Sequence, residues 1–386
     1  SMKLAKSLQA IQPSYIREIL NAASAPGVIS LAGGLPDDAT FPLALMAKSL
    51  TDLANRPQLF QYGNTAGYPP LLAHFREYYQ LPSSHDSIVC TGSQQGLDLI
   101  ARAFINPSDH IVMEAPSYLG ALQVFGLAQA KIESISQRLD GPDLDELEAC
   151  FAAKDITFFY AVPDFHNPTG VCWSLKVRQK VAQLCQQYNV VLIEDIPYRE
   201  LRFKGDYLPL VSSLCPDNSM VLRSYSKIAT PGIRLGLVTG KKDWIAPLNK
   251  VKQGADLHSS IPMQSVLLDL LQHDDFEQHL DAIRSLYHGR YETLSQQIAL
   301  KLPRYCHFNA VKGGMFIWLS LPECDVDALA KSALEQGVAV VPSSVFYQNR
   351  SNAVPALRLN FTNANTEEIG DAIDRLSKAI KQYCQT

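Results

Sequence analysis

The sequence predicts an α/β protein: a large domain built on a doubly wound, mainly parallel sheet, and a smaller α+β domain formed by the C-terminal region with the N-terminal segment. Three observations support this class. Six short apolar segments alternate with helical patterns along the middle of the chain. Several of them are apolar throughout, which is typical of strands buried on both faces of a parallel sheet. The alternation stops near residue 285, where a long helical stretch begins.

The predicted strands of the large sheet cover residues 87–90, 110–114, 156–162, 190–196, 220–225 and 234–240. Helical patterns between them include residues 94–103 and 175–188. Asp143 is followed three positions later by Glu146, which predicts a capping box at the start of a helix over 144–151. These elements together predict a large domain over residues 46–285.

A different pattern follows residue 285. Residues 313–319 read as a strand, and a helix closed by Gly337 leads to strands at 338–341 and 357–361. A last helix is predicted from about Thr366. We therefore expect a small domain over residues 286–386. Residues 1–45 have too little periodic pattern to fold alone, so we expect them to pack onto that domain.

Composition favours small-molecule chemistry. The 386 residues are 47% hydrophobic, and 34 basic against 38 acidic residues give a net charge of −4, without the basic clusters that nucleic acid or membrane surfaces require. No apolar run approaches the roughly 18 residues of a membrane span, and no signal peptide is visible. The eight cysteines include no C-x-x-C pair, which favours reduced thiols in a cytoplasmic protein over disulfides or a metal site.

The strand predicted at 220–225 runs into Lys227, preceded by the hydroxyls of Ser224 and Ser226 and followed by Arg234. A lysine amine whose pKa is lowered by desolvation or a nearby cation can form a Schiff base with an aldehyde such as that of pyridoxal phosphate. Two hydroxyls and a guanidinium suit the phosphate. Ser-x-Ser-Lys also occurs in ordinary loops, so this segment alone leaves a surface lysine as an alternative.

Four other strand ends supply matching groups, because ligands of such sheets bind at the carboxyl ends of the strands. Ser93 opens a helix whose N-terminus could hold a phosphate, although an ordinary N-cap explains it equally. Tyr118 offers an aromatic face or is a plain core residue. Asn167 lies in a turn that does not require its side chain. Asp195 ends a central strand and needs a cation, which a protonated pyridine nitrogen would provide, with Tyr198 and Asn167 near the ring's phenolic oxygen.

With these motifs in this order, the sequence resembles the fold-type-I pyridoxal-phosphate enzymes of aminotransferase class I/II, and within them most closely the 2-aminoadipate and kynurenine aminotransferase group. The resemblance covers nearly the whole chain. The matching segments are residues 29–36, 61–69, 91–96, 167–170, 194–198, 224–234 and 357–361.

This resemblance implies a role for each site residue. Lys227 would form the internal aldimine with pyridoxal 5′-phosphate, Asp195 would pair with the pyridine nitrogen, and Asn167 and Tyr198 would hold the phenolic oxygen. Tyr118 would stack on the ring. The phosphate would be bound by Ser93, Gln94, Ser224, Ser226 and Arg234, with Tyr62 of a neighbouring subunit, so a homodimer is expected. The substrate α-carboxylate would be bound by Arg358, Asn167 and the backbone at Gly34.

The resemblance further implies an aminotransferase that moves the amino group of an L-amino acid to a 2-oxo acid such as 2-oxoglutarate by a ping-pong mechanism. Donors would be broad in range, or similar to 2-aminoadipate or aromatic amino acids. Arg17 matches a mobile segment that in this group closes over the substrate side chain; the alternative is a surface arginine. His166 stands where glutamine is frequent, and Ser343 and Ser344 follow Pro342 where glycine is usual.

Two alternatives stay open. The same scaffold supports other pyridoxal-phosphate reactions, such as those of a β-lyase, racemase or decarboxylase, because the fold does not determine the chemistry. The second alternative is the effector domain of an aminotransferase-like transcriptional regulator. Such regulators carry an N-terminal DNA-binding domain, whereas residues 1–45 follow the aminotransferase pattern, which argues against a regulator unless the chain is a piece of a longer protein.

Overall fold

A computed structural model describes residues 1–9, 11 and 15–384. Its strands are β1 (Ile29–Ser30), β2 (His85–Cys90), β3 (His110–Ala115), β4 (Lys131–Arg138), β5 (Gly141–Pro142), β6 (Ile156–Ala161), β7 (Val191–Asp195), β8 (Ser219–Ser224), β9 (Gly236–Lys241), β10 (Phe316–Ser320), β11 (Val338–Ala339), β12 (Val341–Pro342) and β13 (Ala356–Asn360). Its helices are α1 (Lys6–Gln9), α2 (Tyr15–Ala23), α3 (Leu43–Asp52), α4 (Pro69–Tyr78), α5 (Gly92–Phe104), α6 (Leu119–Leu127), α7 (Leu144–Ala153), α8 (Leu175–Tyr188), α9 (Val211–Leu214), α10 (Lys242–Ala255), α11 (Ile261–Leu271), α12 (Phe276–Lys301), α13 (Val326–Glu335) and α14 (Thr366–Tyr383).

The large sheet has eight strands in the order β2-β9-β8-β7-β6-β3-β4-β5. The run β8-β7-β6-β3-β4 is parallel, whereas β9 is antiparallel to both β8 and β2, and β5 is antiparallel to β4. The predicted α/β class with a mainly parallel sheet is confirmed. All six predicted strands are present. The prediction missed β4 and β5, because β4 lies near the sheet edge, is mostly half-exposed and alternates polar with apolar residues.

Helix boundaries follow the expected local signals. Helix α8 covers the predicted range 175–188, and Asn189 after it adopts the left-handed conformation with φ 52°. At the start of α7, Asp143 accepts a hydrogen bond of 2.9 Å from the backbone N–H of Glu146, as predicted. The reciprocal half of the capping box was predicted wrongly. The Glu146 carboxylate accepts instead from the backbone N–H and hydroxyl of Ser136, because β4 brings these donors within reach.

The C-terminal region forms a second, smaller sheet. Strands β10, β13 and β12 are antiparallel neighbours in that order, and α12 and α14 pack together beside them. Strand β1 pairs in parallel with β11, and Ile19 of α2 lies in an apolar cluster with Val341 and Phe346. The N-terminal segment thus packs on the C-terminal region. The domain limits at residues 45 and 285 stay a prediction; the second falls inside the 26-residue helix α12.

The core lies on both faces of the large sheet, as the continuous apolar pattern of its strands requires. On β6, Phe158 and Tyr160 belong to one apolar cluster and Phe159 belongs to another, which includes Trp173. All eight cysteines are free thiols. Across the described parts of the chain, none of the helices has both the length and the apolar character needed to cross a membrane. With its faces covered, the sheet leaves the carboxyl ends of its strands as the place for a ligand.

Candidate active site

The predicted cofactor-binding residues meet in one small cavity at the carboxyl ends of the strands. The volume of this cavity is about 120 Å³. It is lined by Ser93, Gln94, Tyr118, Tyr160, Val162, Asn167, Asp195, Pro197, Tyr198, Ser224, Ser226, Lys227 and Arg234. Every residue predicted to bind the cofactor is among them except Tyr62. A larger groove of about 1180 Å³ runs beside residues 134–139 and 309–312, but none of the predicted site residues lines it.

One end of the cavity is built around the start of α5. Gly92 has φ 75°, and a Cβ atom there would lie 2.4 Å from Nη2 of Arg234. Only glycine therefore lets the guanidinium approach this backbone. Ser93 and Gln94 follow in the first turn of α5, where backbone N–H groups have no partner within the helix. This end of the cavity combines a guanidinium, hydroxyls and free N–H groups, which is a set suited to a phosphate.

The serines of β8 and its following loop complete the same end. Ser224 and Ser226 are both 7% exposed, and the Ser224 hydroxyl accepts a hydrogen bond of 3.2 Å from the backbone N–H of Ser226. Across the cavity, the Tyr118 hydroxyl donates to the Gln94 side chain at 3.1 Å. Burial raises the pKa of Tyr118 to about 12, so its ring remains a neutral surface.

Asp195 also lines the cavity and is 2% exposed. Burial raises the pKa of its carboxyl to about 7, although a hydrogen bond from Tyr160 to Oδ2 opposes this effect. The other oxygen, Oδ1, has no hydrogen-bond partner among the described residues. An unpartnered buried carboxylate oxygen is costly, and a bound group with a protonated nitrogen would satisfy it.

Asn167 links the centre of the cavity to Arg358. Its Nδ2 donates to the Tyr198 hydroxyl at 3.2 Å, and its Oδ1 accepts from Nη1 of Arg358 at 2.8 Å. Arg358 is 4% exposed, and its Nη2 donates to the carbonyl of Ala32. Its Nε has no partner in the described structure, and burial lowers the pKa of Arg358 to about 10. A buried guanidinium with an unused donor is suited to a carboxylate.

Lys227 lines the same cavity. Its Nζ donates to the carbonyl of Gly34 at 3.0 Å. Burial lowers the pKa of this amine from 10.5 to about 8, and the positive charges of Arg358 and Arg234 contribute to that decrease. A substantial fraction of Lys227 is therefore neutral near pH 8, which is the form that attacks a carbonyl carbon. Gly34 was predicted to assist the substrate carboxylate; here its carbonyl holds the lysine.

Four predicted site residues do not line the cavity. Arg358 and Gly34 contact the lining residues Asn167 and Lys227, whereas Tyr62 and Arg17 make no such contact among the described residues. Tyr62 is 80% exposed, and its ring meets His258 edge-on at 6.1 Å between centroids. This position leaves its predicted action on a neighbouring subunit untested. Arg17 is exposed on α2 and makes no ion pair within the described part of the chain. Residues 13 and 14 of the predicted mobile segment lie outside the described residues.

Sequence reasoning missed Tyr160, Val162 and Pro197 in the cavity wall. Tyr160 was counted only as part of an apolar strand. The signal that could have identified it is its hydroxyl, because a buried tyrosine hydroxyl nearly always finds a polar partner, and β6 neighbours the strand that ends at Asp195. Val162 and Pro197 carry no polar group, and no sequence signal distinguishes them from core residues.

A buried ion pair that was also missed holds the turn carrying Asn167. Arg178 of α8 is fully buried and donates to Asp164 at 2.7 Å. The same guanidinium binds the carbonyls of Pro163 and Trp173, one on each side of the turn. His166, the departure noted in the sequence, is buried, so its pKa falls to about 3 and it stays neutral. Arg178 therefore holds the turn that carries Asn167.

These features test whether pyridoxal phosphate fits the residues present. The unpartnered Oδ1 of Asp195 suits a protonated ring nitrogen, the donors around Gly92 suit a phosphate, and the Lys227 amine in the same cavity suits an aldehyde. The cavity thus matches all three functional groups of that molecule. Within residues 1–9, 11 and 15–384, no three His, Cys, Asp or Glu side chains group in a way that could hold a metal ion.

Known proteins of one family match this chain over most of its length. The family model of aminotransferase class I and II matches residues 26–376. The 2-aminoadipate transaminase of Thermus thermophilus is 33% identical, over 96% of this chain and 94% of that protein. The aromatic-amino-acid aminotransferase 1 of Thermococcus litoralis is 35% identical, over 96% and 92%.

A solved structure extends the likeness to three dimensions. The crystal structure of LysN, the α-aminoadipate aminotransferase of Thermus thermophilus, superposes with a TM-score of 0.92 at 32% identity, covering 98% of this chain and 97% of that one. That structure holds N-(5′-phosphopyridoxyl)-L-leucine. The bound molecule joins a cofactor to an amino acid.

Proposed function

The chain belongs to the class I and II aminotransferases and uses pyridoxal 5′-phosphate, and we propose that it transfers the amino group of an L-amino acid to a 2-oxo acid such as 2-oxoglutarate through Lys227. One observation carries the assignment of the lysine. Its amine, with a pKa lowered to about 8, shares a small cavity with a carboxylate whose Oδ1 lacks a partner among the described residues. A lysine and a carboxyl group that both have shifted pKa values and share one cavity indicate a functional site.

Bound pyridoxal phosphate supplies an aldehyde that reacts with amines and a ring that accepts electron density from the substrate α-carbon. We assign the binding of the phosphate to five residues: Ser93, Gln94, Ser224, Ser226 and Arg234. Asp195 would keep the ring nitrogen protonated, and Asn167 with Tyr198 would hold the phenolic oxygen. Tyr118 would cover one face of the ring and exclude water.

The chain's own residues then account for the reaction. The neutral amine of Lys227 would be the base that takes the proton from the substrate α-carbon, and the ammonium so formed would be the acid that gives this proton up again. Arg358 binds and orients the α-carboxylate, helped by Asn167, so that the α-hydrogen faces Nζ. The amine's pKa near 8 suits both roles, because it accepts and releases a proton at little cost around neutral pH. The same residues serve both halves of a ping-pong cycle.

Lys227→Ala tests this assignment. The variant should lose the visible absorbance that cofactor bound to a lysine gives, and its turnover with any donor should fall by several orders of magnitude. Lys312→Ala, which removes an exposed lysine outside the cavity, is the control and should behave like the parent. An unchanged spectrum in Lys227→Ala would sink the proposal. Product analysis separates the rivals: an aminotransferase forms 2-oxo acid only when an acceptor is present, whereas a β-lyase needs none.

We propose a donor range that includes 2-aminoadipate and aromatic amino acids, since relatives with both names match nearly the full chain. A panel of acidic, aromatic and branched-chain donors with 2-oxoglutarate would define the range. A single strongly preferred donor of another class would contradict this range.

We also propose a cytoplasmic location, which the eight free thiols support.

We also propose a homodimer in which Tyr62 reaches the partner's phosphate site. Tyr62 has no place in its own cavity, and the large apolar side chains of Leu35, Leu43 and Phe60 are more than half exposed nearby in sequence. Mixing two inactive variants, Lys227→Ala and Tyr62→Ala, tests this. A shared site predicts that mixed dimers regain activity, because one of their two sites then contains neither substitution. A mixture as inactive as its components would refute the sharing.

A further inference from the structure

Asp195 has one oxygen bound within the sheet and one that is open. Tyr160 on β6 lies opposite Ile193 on β7, and Asp195 follows two residues later on the same face of the strand. The Tyr160 hydroxyl donates a hydrogen bond of 2.5 Å to Oδ2 of Asp195. Oδ1 has no partner among the described residues. The carboxylate is therefore held in an orientation that presents Oδ1 to the cavity.

Tyr160 has little freedom to do anything else. Its side chain is 2% exposed, and its ring packs edge-on against Phe125 with 5.6 Å between centroids. Burial and the neighbouring charge of Asp195 raise the pKa of Tyr160 well above its ordinary value. The hydroxyl thus keeps its proton at any working pH and acts as a permanent donor.

We propose that Tyr160 is a positioning residue for the cofactor: its hydroxyl favours the ionised form of Asp195 and leaves Oδ1 available for the cofactor's ring nitrogen. This inference rests on the proposed pairing of Asp195 with that nitrogen. A hydrogen bond to the charged form of an acid favours ionisation, and a buried carboxylate otherwise prefers to be protonated. Tyr160 would therefore decide the pH range over which the cofactor finds an anionic partner.

Other charges around Asp195 are unchanged when only this hydroxyl is removed. The other titratable groups that line the same cavity are Tyr118, Tyr198, Lys227 and Arg234, and Arg358 donates to the lining residue Asn167. Glu194, the preceding residue in the strand, is turned away and accepts hydrogen bonds from the backbone N–H groups of Val211 and Ser212. A difference in cofactor affinity between the parent and Tyr160→Phe is therefore caused by the loss of the Tyr160 hydroxyl.

The test measures binding of pyridoxamine 5′-phosphate to the cofactor-free enzyme across pH. This probe has no aldehyde, so its affinity contains no bond to Lys227. Below the pKa of Asp195, binding to the protonated nitrogen requires the carboxyl to lose a proton, so affinity falls as the pH decreases. Tyr160→Phe should move the midpoint of this decrease upward by about one pH unit, with affinity about fivefold weaker near pH 7 and about tenfold weaker well below it. The phosphate's own titration near pH 6 is common to all variants.

Three comparisons give the result its meaning. Tyr287→Phe removes another fully buried hydroxyl, one that accepts from the backbone of Asp37, and should leave the midpoint in place. Asp195→Asn should abolish the dependence, and adding Tyr160→Phe to it should have no further effect on affinity. If Asp195→Asn binds the probe like the parent, the pairing itself is wrong. If only Tyr160→Phe behaves like the parent, the pairing stands and the role of Tyr160 is refuted.

Circular dichroism would establish that Tyr160→Phe folds, which we expect because the ring is unchanged. A second variant keeps the test decisive if it does not. Tyr160→3-fluorotyrosine has a more acidic hydroxyl and is a stronger donor, so its midpoint should move downward, opposite to the phenylalanine variant. A shift of both variants in the same direction would indicate a packing effect and overturn the proposal.

Discussion

Replacing Glu114 by glutamine should make stability less sensitive to pH. Glu114 is the penultimate residue of β3, just before the loop that carries Tyr118, and it is 2% exposed. Its carboxylate accepts from the indole N–H of Trp173 at 3.1 Å and from the side-chain amide of Gln137 at 2.9 Å. Both partners are neutral, so neither compensates the charge that burial makes unfavourable.

The size of the effect follows from the pKa of this carboxyl. Burial raises it from 4.5 to about 7, and its hydrogen bonds only partly oppose that rise. The folded state therefore keeps a proton that the unfolded state releases between about pH 4.5 and 7. Stability falls as the pH rises through this window, by about 3 kcal/mol in total. Glutamine stays neutral throughout, so the free-energy difference between variant and parent should shift by about that amount in the variant's favour.

Urea unfolding of the cofactor-free enzyme at several pH values between 4.5 and 8, followed by tryptophan fluorescence, measures this. The matched comparison is Glu194→Gln, at the equivalent end of β7. Glu194 accepts from two backbone N–H groups, so an amide must leave one of them unpaired, which costs about 1–3 kcal/mol of stability. Because burial also raises the pKa of Glu194, this cost should decrease as the pH rises. A Glu114→Gln variant whose difference from the parent is constant across pH would refute the reasoning.

Three further predictions concern ligands. Gly92→Ala should weaken pyridoxamine 5′-phosphate binding about tenfold or more, because its Cβ would lie 2.4 Å from Nη2 of Arg234. An unchanged dissociation constant would contradict the assignment of Arg234 to the phosphate. Arg358→Lys should lower kcat/KM for all donors by about 100-fold, whatever their side chains, because a single ammonium replaces a guanidinium that also holds Asn167. Selective loss of one donor would argue against carboxylate binding. Arg17→Ala should reduce the preference for acidic over apolar donors, and an unaltered ratio would leave Arg17 a surface residue.

Much of the site could be predicted from the sequence, because parallel strands bring their carboxyl ends to one edge. Polar residues that directly follow buried strands, such as Asp195 and Lys227, are therefore neighbours in space although they are far apart in the chain. Their identities already suited a ring nitrogen and an aldehyde, although the segment around Lys227 alone left a surface lysine as an alternative. Tyr160 could not be identified in this way, because it lies inside strand β6 and its role depends on which residue of β7 lies opposite it.

Contacts that depend on register and loop path were not predictable in the same way. Glu146 was assigned to a capping box by its spacing from Asp143, but Ser136 of the unpredicted strand β4 offers it two donors. Likewise, Arg178 of α8 looked like one of many helical charges. Only the folded chain places it against Asp164 and the two carbonyls beside the Asn167 turn.

The sequence alone determined the fold class, six of the eight strands of the large sheet, and most of the polar residues at their carboxyl ends, because burial on a sheet or a helix imposes a local periodicity on the sequence. The tertiary structure decided how those residues act: that Oδ1 rather than Oδ2 of Asp195 is open, and that Lys227 has a pKa near 8. Such properties arise from desolvation and from partners on other strands, and the local pattern of residues contains neither.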